Sequence, residues 1–188
     1  AVISADKMNV VYRGVENPMT ISIPGIPDNK VSASAPGLKK AKGSRYNMTP
    51  GKGREITISA SGSMPDGQKI TTTTKFRIKD IPAPQGTVRK QTGSVTIPKS
   101  SLEISSVGAM LEDFDFDITL KTVSFKFKVP GQPTINIKGN KLDARAKSAL
   151  KRAKAGQSVQ IFDIKVVNPK NPSYKFKKIS PVICELVN

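Results

Sequence analysis

Apolar and polar residues alternate in short segments over the first eighty residues of the chain. A period of two is typical of β-strands, because successive side chains point to opposite faces of a sheet. Turn-forming pairs such as Pro24-Gly25 and Pro36-Gly37 separate the segments. The pattern predicts strands at Met19–Ile23, Val31–Ala35, Tyr46–Met48, Glu55–Ala60 and Ile70–Ile78.

Two of these predicted strands have an apolar face. In one of them Ile56, Ile58 and Ala60 share a face, and in the other the shared face runs from Ile70 to Ile78. Two such faces can close over a common core, and the turns have roughly the spacing of immunoglobulin-like strands. Residues 1–80 are therefore predicted to form an immunoglobulin-like β-sandwich without the cysteine pair and tryptophan of antibody domains.

Residues 87–188 alternate in the same way, with larger apolar side chains. Phe114–Leu120 and Val123–Val129 are predicted to pair as a hairpin, with the two phenylalanines of the second strand facing the core. In this hairpin the aspartates of the first strand would form cross-strand ion pairs with the lysines of the second. Further strands are predicted at Val159–Val166 and Pro181–Val187.

One helix is predicted, over residues 141–155. Asn140 is expected to cap it together with Asp143, and Gly156 to end it. The helix is predicted to pack on a sheet with a solvated basic face; a position on a membrane or in a nucleic-acid groove is the alternative. Its apolar stripe comprises Leu142, Ala146, Ala149, Leu150 and Ala153, and its basic residues are Arg145, Lys147, Lys151, Arg152 and Lys154.

A proline-containing stretch separates the two halves. Pro82 and Pro84 have no amide hydrogen for a strand ladder, and they bias the residues before them toward extended backbone. Gly86 is expected to be the turning point of this stretch. The predicted fold is therefore mainly β: a β-sandwich at 1–80, a stiff linker at 81–86 and a second β-rich domain with one α-helix at 87–188.

The composition adds a strong positive charge to this picture. The chain has 31 Lys plus Arg against 14 Asp plus Glu, a net charge of +17, which is large enough to attract polyanions or acidic surfaces. It has one cysteine and no histidine, and so lacks an internal disulfide, the commonest general base and the commonest zinc ligand. We therefore predict no catalytic, cofactor-binding or metal-binding residue, and we expect Cys184 to be a small buried side chain.

Two charged sets are predicted to bind a partner. The acidic set can alternatively pair within its sheet or hold calcium, although Ile118 and Ser124 stand where an EF-hand loop has glycine and glutamate. A basic stretch, Lys39–Arg45, is either a contact for phosphate or acidic partners or a solvated hairpin. The predicted partner-binding residues are Asp113, Asp115 and Asp117 in the acidic set, and Lys147, Lys151 and Lys154 in the basic set.

Four sequence strings follow one another along most of the chain: Val10–Pro18, Ile21–Gly25, Phe76–Pro84 and Leu111–Phe116. Together they resemble the C-terminal periplasmic part of the GldM family, also called PorM, of gliding-motility and type IX secretion proteins. The chain begins at Ala1 without an initiator methionine or a leader, so we expect it to be a portion of a longer protein.

The resemblance implies a protein of Bacteroidota that is anchored in the inner membrane by an N-terminal helix absent from this chain. Through that missing part it would pair with the membrane protein GldL in a proton-powered motor. Its periplasmic part would be a long homodimer, whose immunoglobulin-like domains reach toward the GldK and GldN assembly under the outer membrane. By this likeness residues 1–80 are the penultimate domain and residues 87–188 the terminal one, with no catalytic residues, no cofactor and no nucleic-acid partner.

The predicted function is thus a non-enzymatic periplasmic stalk module that transmits force and docks to outer-membrane-associated components. The alternative is a basic binding module for nucleic acid or another acidic polymer, which rests on the net charge and the predicted helix. An enzyme would have to use Glu112, Asp113 and Asp115, for which the sequence indicates no pocket that could shift a pKa.

Overall fold

The structure, a computed structural model, describes residues 9–188, so the first eight residues of the predicted first domain lie outside it. It divides into two compact units, of which the first ends at Ile81 and the second begins at Pro82. Both units consist mainly of β-strands, which confirms the predicted fold class. Neither of the α-helices found in residues 9–188 has the length and apolar character needed to cross a membrane.

The first unit contains two sheets in its described part. A 3₁₀ turn at Asp28–Lys30 precedes the third strand. The strands are β1 (Val10–Arg13), β2 (Asn17–Thr20), β3 (Ser32–Ser34), β4 (Leu38–Lys40), β5 (Arg45–Met48), β6 (Glu55–Ser63) and β7 (Lys69–Asp80). One sheet has the order β1-β7-β6-β3 and the other the order β2-β5-β4.

Three ladders of backbone pairs form the larger sheet, and the shortest of them joins β3 to β6 through three antiparallel pairs. β6 and β7 are joined by nine antiparallel residue pairs, from Glu55 opposite Arg77 to Ser63 opposite Lys69. β1 runs parallel to β7 through four pairs. A parallel pair cannot be closed by a tight turn, so this pairing depends on the whole unit that lies between the two strands.

Side chains from both sheets meet in one buried cluster that contains Val11, Met48, Ile58 and Ile78. The inward face predicted for β6 is confirmed for Ile58, which is 4% exposed. The sequence pattern did not reveal β1 and β4, because Val10–Arg13 does not alternate and Leu38–Lys40 lies in a basic stretch. That basic stretch forms the connection and parts of both strands of the β4–β5 hairpin.

Two polar side chains at and just after the end of β1 join it to neighbouring segments of the first unit. The buried Asn17 accepts a hydrogen bond from the amide of Tyr12 at 2.7 Å and donates to the carbonyl of Met48 at 3.0 Å. Arg13, the last residue of β1, forms an ion pair with Asp80, the last residue of β7, at 2.5 Å. The parallel strands are therefore joined by a side-chain pair at their common end.

The second unit has a five-stranded sheet, a three-stranded sheet and two short helices within the residues the structure describes. Its elements are β8 (Gln85–Val88), β9 (Gln91–Thr92), β10 (Ser94–Pro98), α1 (Lys99–Ile104), β11 (Val107–Met110), β12 (Lys121–Lys128), β13 (Ile135–Lys138), α2 (Ala144–Arg152), β14 (Ser158–Val167) and β15 (Val182–Val187). The larger sheet has the order β10-β15-β14-β12-β13, and the smaller one the order β11-β8-β9.

One large core lies inside the second unit. Phe125 and Phe127 are 1% and 0% exposed, as predicted, while Lys126 between them remains partly exposed. Cys184 is fully buried in β15, and its burial raises the pKa of the thiol to about 11. The prediction that this cysteine is a small core side chain is confirmed.

The predicted hairpin of Phe114–Leu120 with Val123–Val129 was wrong. The first segment is not a strand, since both edges of β12 are already paired, one with β13 and the other with β14. A strand has only two edges, so no position remains for a third partner. The predicted cross-strand ion pairs are therefore absent, and Lys126 instead pairs with Asp163 of β14 at 3.1 Å.

The predicted helix is shorter than its sequence pattern. α2 begins at Ala144 and ends at Arg152, and its cap is Asp143 and not Asn140. The carbonyl of Asn140 accepts a hydrogen bond from the amide of Val107 at 2.8 Å, so this backbone already belongs to a pairing with another segment. The additional helix α1 was not predicted, and its six residues carry no amphipathic repeat long enough to detect.

Gly86 lies inside β8 and is not the turning point that the sequence suggested. A side chain is excluded there because a Cβ atom would lie 2.4 Å from the carbonyl oxygen of Ser180 and 2.6 Å from Cδ1 of Ile164. The amide of Gly86 donates to the same Ser180 carbonyl at 3.1 Å. Glycine is thus required at this position by close backbone approach and not by a turn.

We expect the substitution Gly86→Ala to lower the free energy of unfolding of the second unit by about 2 kcal/mol or more, because backbone must move to admit the methyl group. Gly51→Ala is the matched control, since a Cβ atom at Gly51 would meet no atom within 4 Å. Urea unfolding followed by circular dichroism measures both. Equal stability of the two variants would contradict the close approach at Gly86.

Candidate interaction surfaces of the second unit

The basic helix α2 is held in place from both of its ends. At its start, the Asp143 carboxylate accepts a hydrogen bond from the amide of Ala146 at 2.9 Å. At its end, the Lys99 ammonium donates to the carbonyls of Lys151 and Ala153 at 3.3 and 2.8 Å. A cation at the last carbonyls satisfies acceptors that a helix leaves unpaired and opposes the negative end of its dipole.

The three predicted lysines of this region do not form one surface. Lys147 and Lys151 are four residues apart on α2 and so lie on the same side of the helix. Lys147 is partly buried and Lys151 is exposed. Lys154 follows the helix, and its backbone amide donates to the side chain of Gln157 at 2.8 Å. None of the three forms an ion pair with a described residue.

The predicted aspartates lie in an exposed irregular segment, Glu112–Asp117, which we call the acidic segment. It contains four of the 14 acidic side chains of the chain within six residues. This segment is therefore negatively charged, although the chain as a whole is strongly basic. Asp117 pairs with Lys170 at 3.3 Å, but both side chains are so exposed that the pair adds little stability. Asp113 and Asp115 form no ion pair with any of the described residues.

The acidic and basic sets are not brought together. Within residues 9–188 no ion pair joins one of the three predicted aspartates to one of the three predicted lysines. The same residues contain no group of three or more cysteine, aspartate or glutamate side chains placed to hold a metal ion. If these residues bind partners, they do so as separate surfaces.

A third surface, a groove of about 790 Å³, was missed by the sequence analysis. Its charged lining residues are Arg89, Lys90 and Lys121, and apolar side chains of Ile104 and Leu120 also contribute. We call it the basic groove. None of its three cations forms an ion pair with a described residue, so their positive charge is uncompensated.

The tip of the β8–β9 hairpin supplies two of these cations. Val88 is paired with Gln91, so Arg89 and Lys90 form a two-residue turn. Both have positive φ, 52° and 64°, which is the backbone of a type I′ turn. Such turns favour Asn-Gly, whereas a long side chain with positive φ is strained by about 1 kcal/mol or more. The protein thus retains two cations at the cost of local strain.

The inner wall of the basic groove is polar but satisfied. Thr87, Ser105 and Thr122 are three of the five buried polar or charged residues in the described chain, and all three line this groove. The Ser105 hydroxyl donates to the carbonyl of Ser101 at 2.6 Å, and the Thr122 hydroxyl donates to that of Val107 at 3.0 Å. These bonds fix the positions of the Ser105 and Thr122 side chains in the wall of the groove.

The groove can attract and orient an anion, but it has no group suited to bond-making chemistry. Its lining contains no carboxylate, thiol or imidazole. No local sequence signal could have located it, because the turn lacks glycine and asparagine and the lining residues come from segments far apart in the chain. The pairing of β8 with β9 and β11 is what assembles it.

Comparison with known families gives two consecutive matches. The family model of the GldM third domain matches residues 1–79, and that of the GldM C-terminal domain matches residues 82–186. The gap between them contains the point at which the structure divides, after Ile81. No curated protein matches the chain closely enough to count as a relative.

Solved structures give only weak likenesses. The Clostridium thermocellum CbhA fibronectin(III)-like modules are 14% identical with a TM-score of 0.28, and the match covers 94% of this chain and 87% of that chain. Cadherin domains 3–6 of Protocadherin Gamma B2 are 12% identical (TM-score 0.23; 92% and 51% covered), and domains EC1–3 of mouse Protocadherin-24 are 14% identical (TM-score 0.20; 84% and 58% covered). TM-scores this low carry no argument about fold or function.

The cap of α2 gives a stability prediction. Partial burial raises the pKa of Asp143, but the Ala146 amide and Arg145 outweigh it, so the pKa of Asp143 lies below its ordinary value. A lowered pKa means that this carboxylate stabilises the fold above the pKa of the unfolded chain, about 3.9, and that the contribution is lost as the pH falls further. We expect Asp143→Ala to lower the free energy of unfolding by about 1 kcal/mol at pH 7.

Urea unfolding at pH 7 and at pH 3 measures both effects. The difference between the wild type and Asp143→Ala should shrink at pH 3, because that pH lies below the pKa of an aspartate in the unfolded chain. Asp115→Ala is the control, since Asp115 is exposed and has no ion pair among the described residues. A similar loss of stability in the two variants at pH 7 would contradict the capping role.

Proposed function

This chain belongs to the GldM family of gliding-motility and type IX secretion proteins, and we propose that it is a non-enzymatic periplasmic stalk module that transmits force and docks to outer-membrane-associated components. The observation that carries the proposal is the tandem match of the family's third and C-terminal domains over residues 1–79 and 82–186. In the cell the module would act as a homodimer that reaches the GldK and GldN assembly. A GldL-type membrane partner would be contacted through other domains of GldM proteins.

The chemistry of the side chains supports a non-enzymatic role. The chain has no histidine, and the thiol of Cys184 is buried with its pKa raised to about 11, so almost none of it is a nucleophilic thiolate at neutral pH. The lysines beside Asp163 hold the pKa of that carboxyl below its ordinary range, so it is poorly suited to act as a base near pH 7. A stalk requires none of these groups to react.

The strand order of the first unit supports force transmission. Its earliest described strand, β1, pairs in parallel with its last strand, β7, from Val10 opposite Arg77 to Arg13 opposite Asp80. When the two ends of the unit are pulled apart, these adjacent parallel strands slide along one another. Their hydrogen bonds are then loaded together and not one after another, which favours resistance to force.

Single-molecule pulling of the full chain tests the mechanical part of the proposal. Handles at the two chain ends load the β1–β7 ladder in shear. Handles at Arg54→Cys and Lys79→Cys, beside the open end of the β6–β7 ladder, would instead separate that ladder pair by pair. We expect the unfolding force of the first unit to be at least about twofold higher in the shear geometry, since forced unfolding follows the unfolding barrier in each direction. Equal forces would contradict a built-in resistance to pulling between the two ends of the first unit.

The net charge of +17 favours a second candidate function, the binding of nucleic acid or another acidic polymer. Titration of a fluorescent DNA duplex separates the two functions. If the chain is a stalk, its affinity for DNA should be non-specific and should fall by about tenfold or more between 50 and 200 mM salt, as counterion release requires. Micromolar or tighter binding at physiological salt would favour the polymer-binding function instead.

A further inference from the structure

We propose that the basic groove is a binding site for an extended, carboxylate-rich peptide segment of a partner protein, with an apolar side chain of that segment resting on Ile104. The proposal deepens the docking role above, and it rests on that role only in assigning the partner to the secretion machinery. Binding by the groove itself can be measured with the isolated chain.

The positive charge of the groove favours a ligand with negative charge. Arg89, Lys90 and Lys121 form no ion pair with any described residue, although each lines the same groove of about 790 Å³. Positive charges gathered in one concavity reinforce each other's potential and attract an anionic ligand. Two of them stand in a type I′ turn that uncharged Asn-Gly would form with less strain. Strain that is retained at a surface turn is typical of functional positions.

The apolar part of the groove indicates that the ligand is more than a small anion. Ile104 is 74% exposed and is the most exposed large apolar side chain in the described chain. Leu120 lines the same groove and is partly exposed. Phosphate or a free carboxylate would leave both side chains in water, whereas a peptide can place an apolar side chain against them. Apolar anchors beside charged groups are the usual composition of a peptide site.

The lining also favours a peptide over a nucleic acid. No aromatic side chain lines the groove, and single-stranded nucleic acids bind largely by stacking their bases on aromatic rings. The wall instead contains hydroxyl groups, such as that of Thr122, which donates one hydrogen bond to the Val107 carbonyl and whose oxygen can still accept another. An extended peptide has backbone donors and acceptors that match such a wall.

The probe is a fluorescein-labelled peptide, Gly-Asp-Phe-Asp-Leu-Glu-Leu-Gly, and its binding is measured by fluorescence anisotropy at 50 mM NaCl. A peptide in which lysines replace the acidic residues is the ligand control. We expect saturable binding of the acidic peptide below about 1 mM and at least tenfold weaker binding of the lysine peptide. Absence of binding by the acidic peptide, or equal binding of both, overturns the proposal.

The double substitution Arg89→Asn with Lys90→Gly separates binding from folding. It removes two cations and installs the preferred residues of a type I′ turn, so the thermal midpoint should rise by about 3 to 8 °C. The same variant should bind the acidic peptide at least tenfold more weakly. Lys39→Gln with Lys42→Gln, at two exposed positions of the first unit, removes the same charge and should bind like the wild type. If both variants weaken binding equally, the general charge and not the groove attracts the peptide, and the proposal is wrong.

A third variant tests the apolar contact. Ile104→Ala should fold normally because Ile104 is mostly exposed, and it should weaken binding about threefold or more without changing the salt dependence. Unchanged affinity would overturn the role of Ile104.

Two further measurements identify the source of the ligand. If light scattering shows a dimer that the Arg89→Asn, Lys90→Gly variant loses, the occupant is the acidic segment of a second copy and the assignment to a partner protein is wrong. In cells, loss of secretion with the turn variant supports a partner in the machinery. If the peptide binds in vitro but the turn variant leaves secretion unaffected, the groove is still a peptide-binding site, but the proposed docking function is wrong.

Discussion

Parallel pairing between an early and a late strand is the interaction on which both units depend. In the first unit β1 lies beside β7, and in the second β10 lies beside β15 through five residue pairs. Neither contact can form from neighbouring segments, because parallel strands need a long connection between them. The intervening elements must therefore be in place before the sheet closes, so each unit is expected to behave as a cooperative whole.

The charged surfaces are placed on this framework by backbone pairing. β12 is paired on both edges, which leaves the acidic segment outside the sheet and exposed. The Arg89–Lys90 turn closes a short hairpin of the smaller sheet, and Val107 and Gly108 of β11 in the same sheet also line the basic groove. The protein accepts strained backbone at the turn and thereby keeps two cations at the groove. An exchange of some stability for function is common at binding sites.

The sequence predicted best where the signal was local. The alternation in Glu55–Ala60 and Val123–Val129 predicted two strands, which the structure has at Glu55–Ser63 and Lys121–Lys128, and the inward position of Ile58, Phe125 and Phe127. It failed at the start of β12, where Val123 is 45% exposed although a period of two places it inward. Irregular register between β12 and β14 on both sides of Ser124 breaks the period there. A bulge of this kind depends on the partner strand and leaves little trace in the bulged segment itself.

By itself the sequence determined the mainly β character of the chain, the inward positions of Ile58, Phe125 and Phe127 and the existence of the basic helix, because turn residues and periodicity act within a few positions. Its family strings indicated the GldM likeness, which the domain matches bear out. Only the tertiary structure decided which edges pair, where α2 begins, why Gly86 must lack a side chain and how Arg89, Lys90 and Lys121 come together. Each of these outcomes depends on competition among distant segments for a limited number of strand edges and hydrogen-bonding groups, and that competition is settled only when the chain has folded.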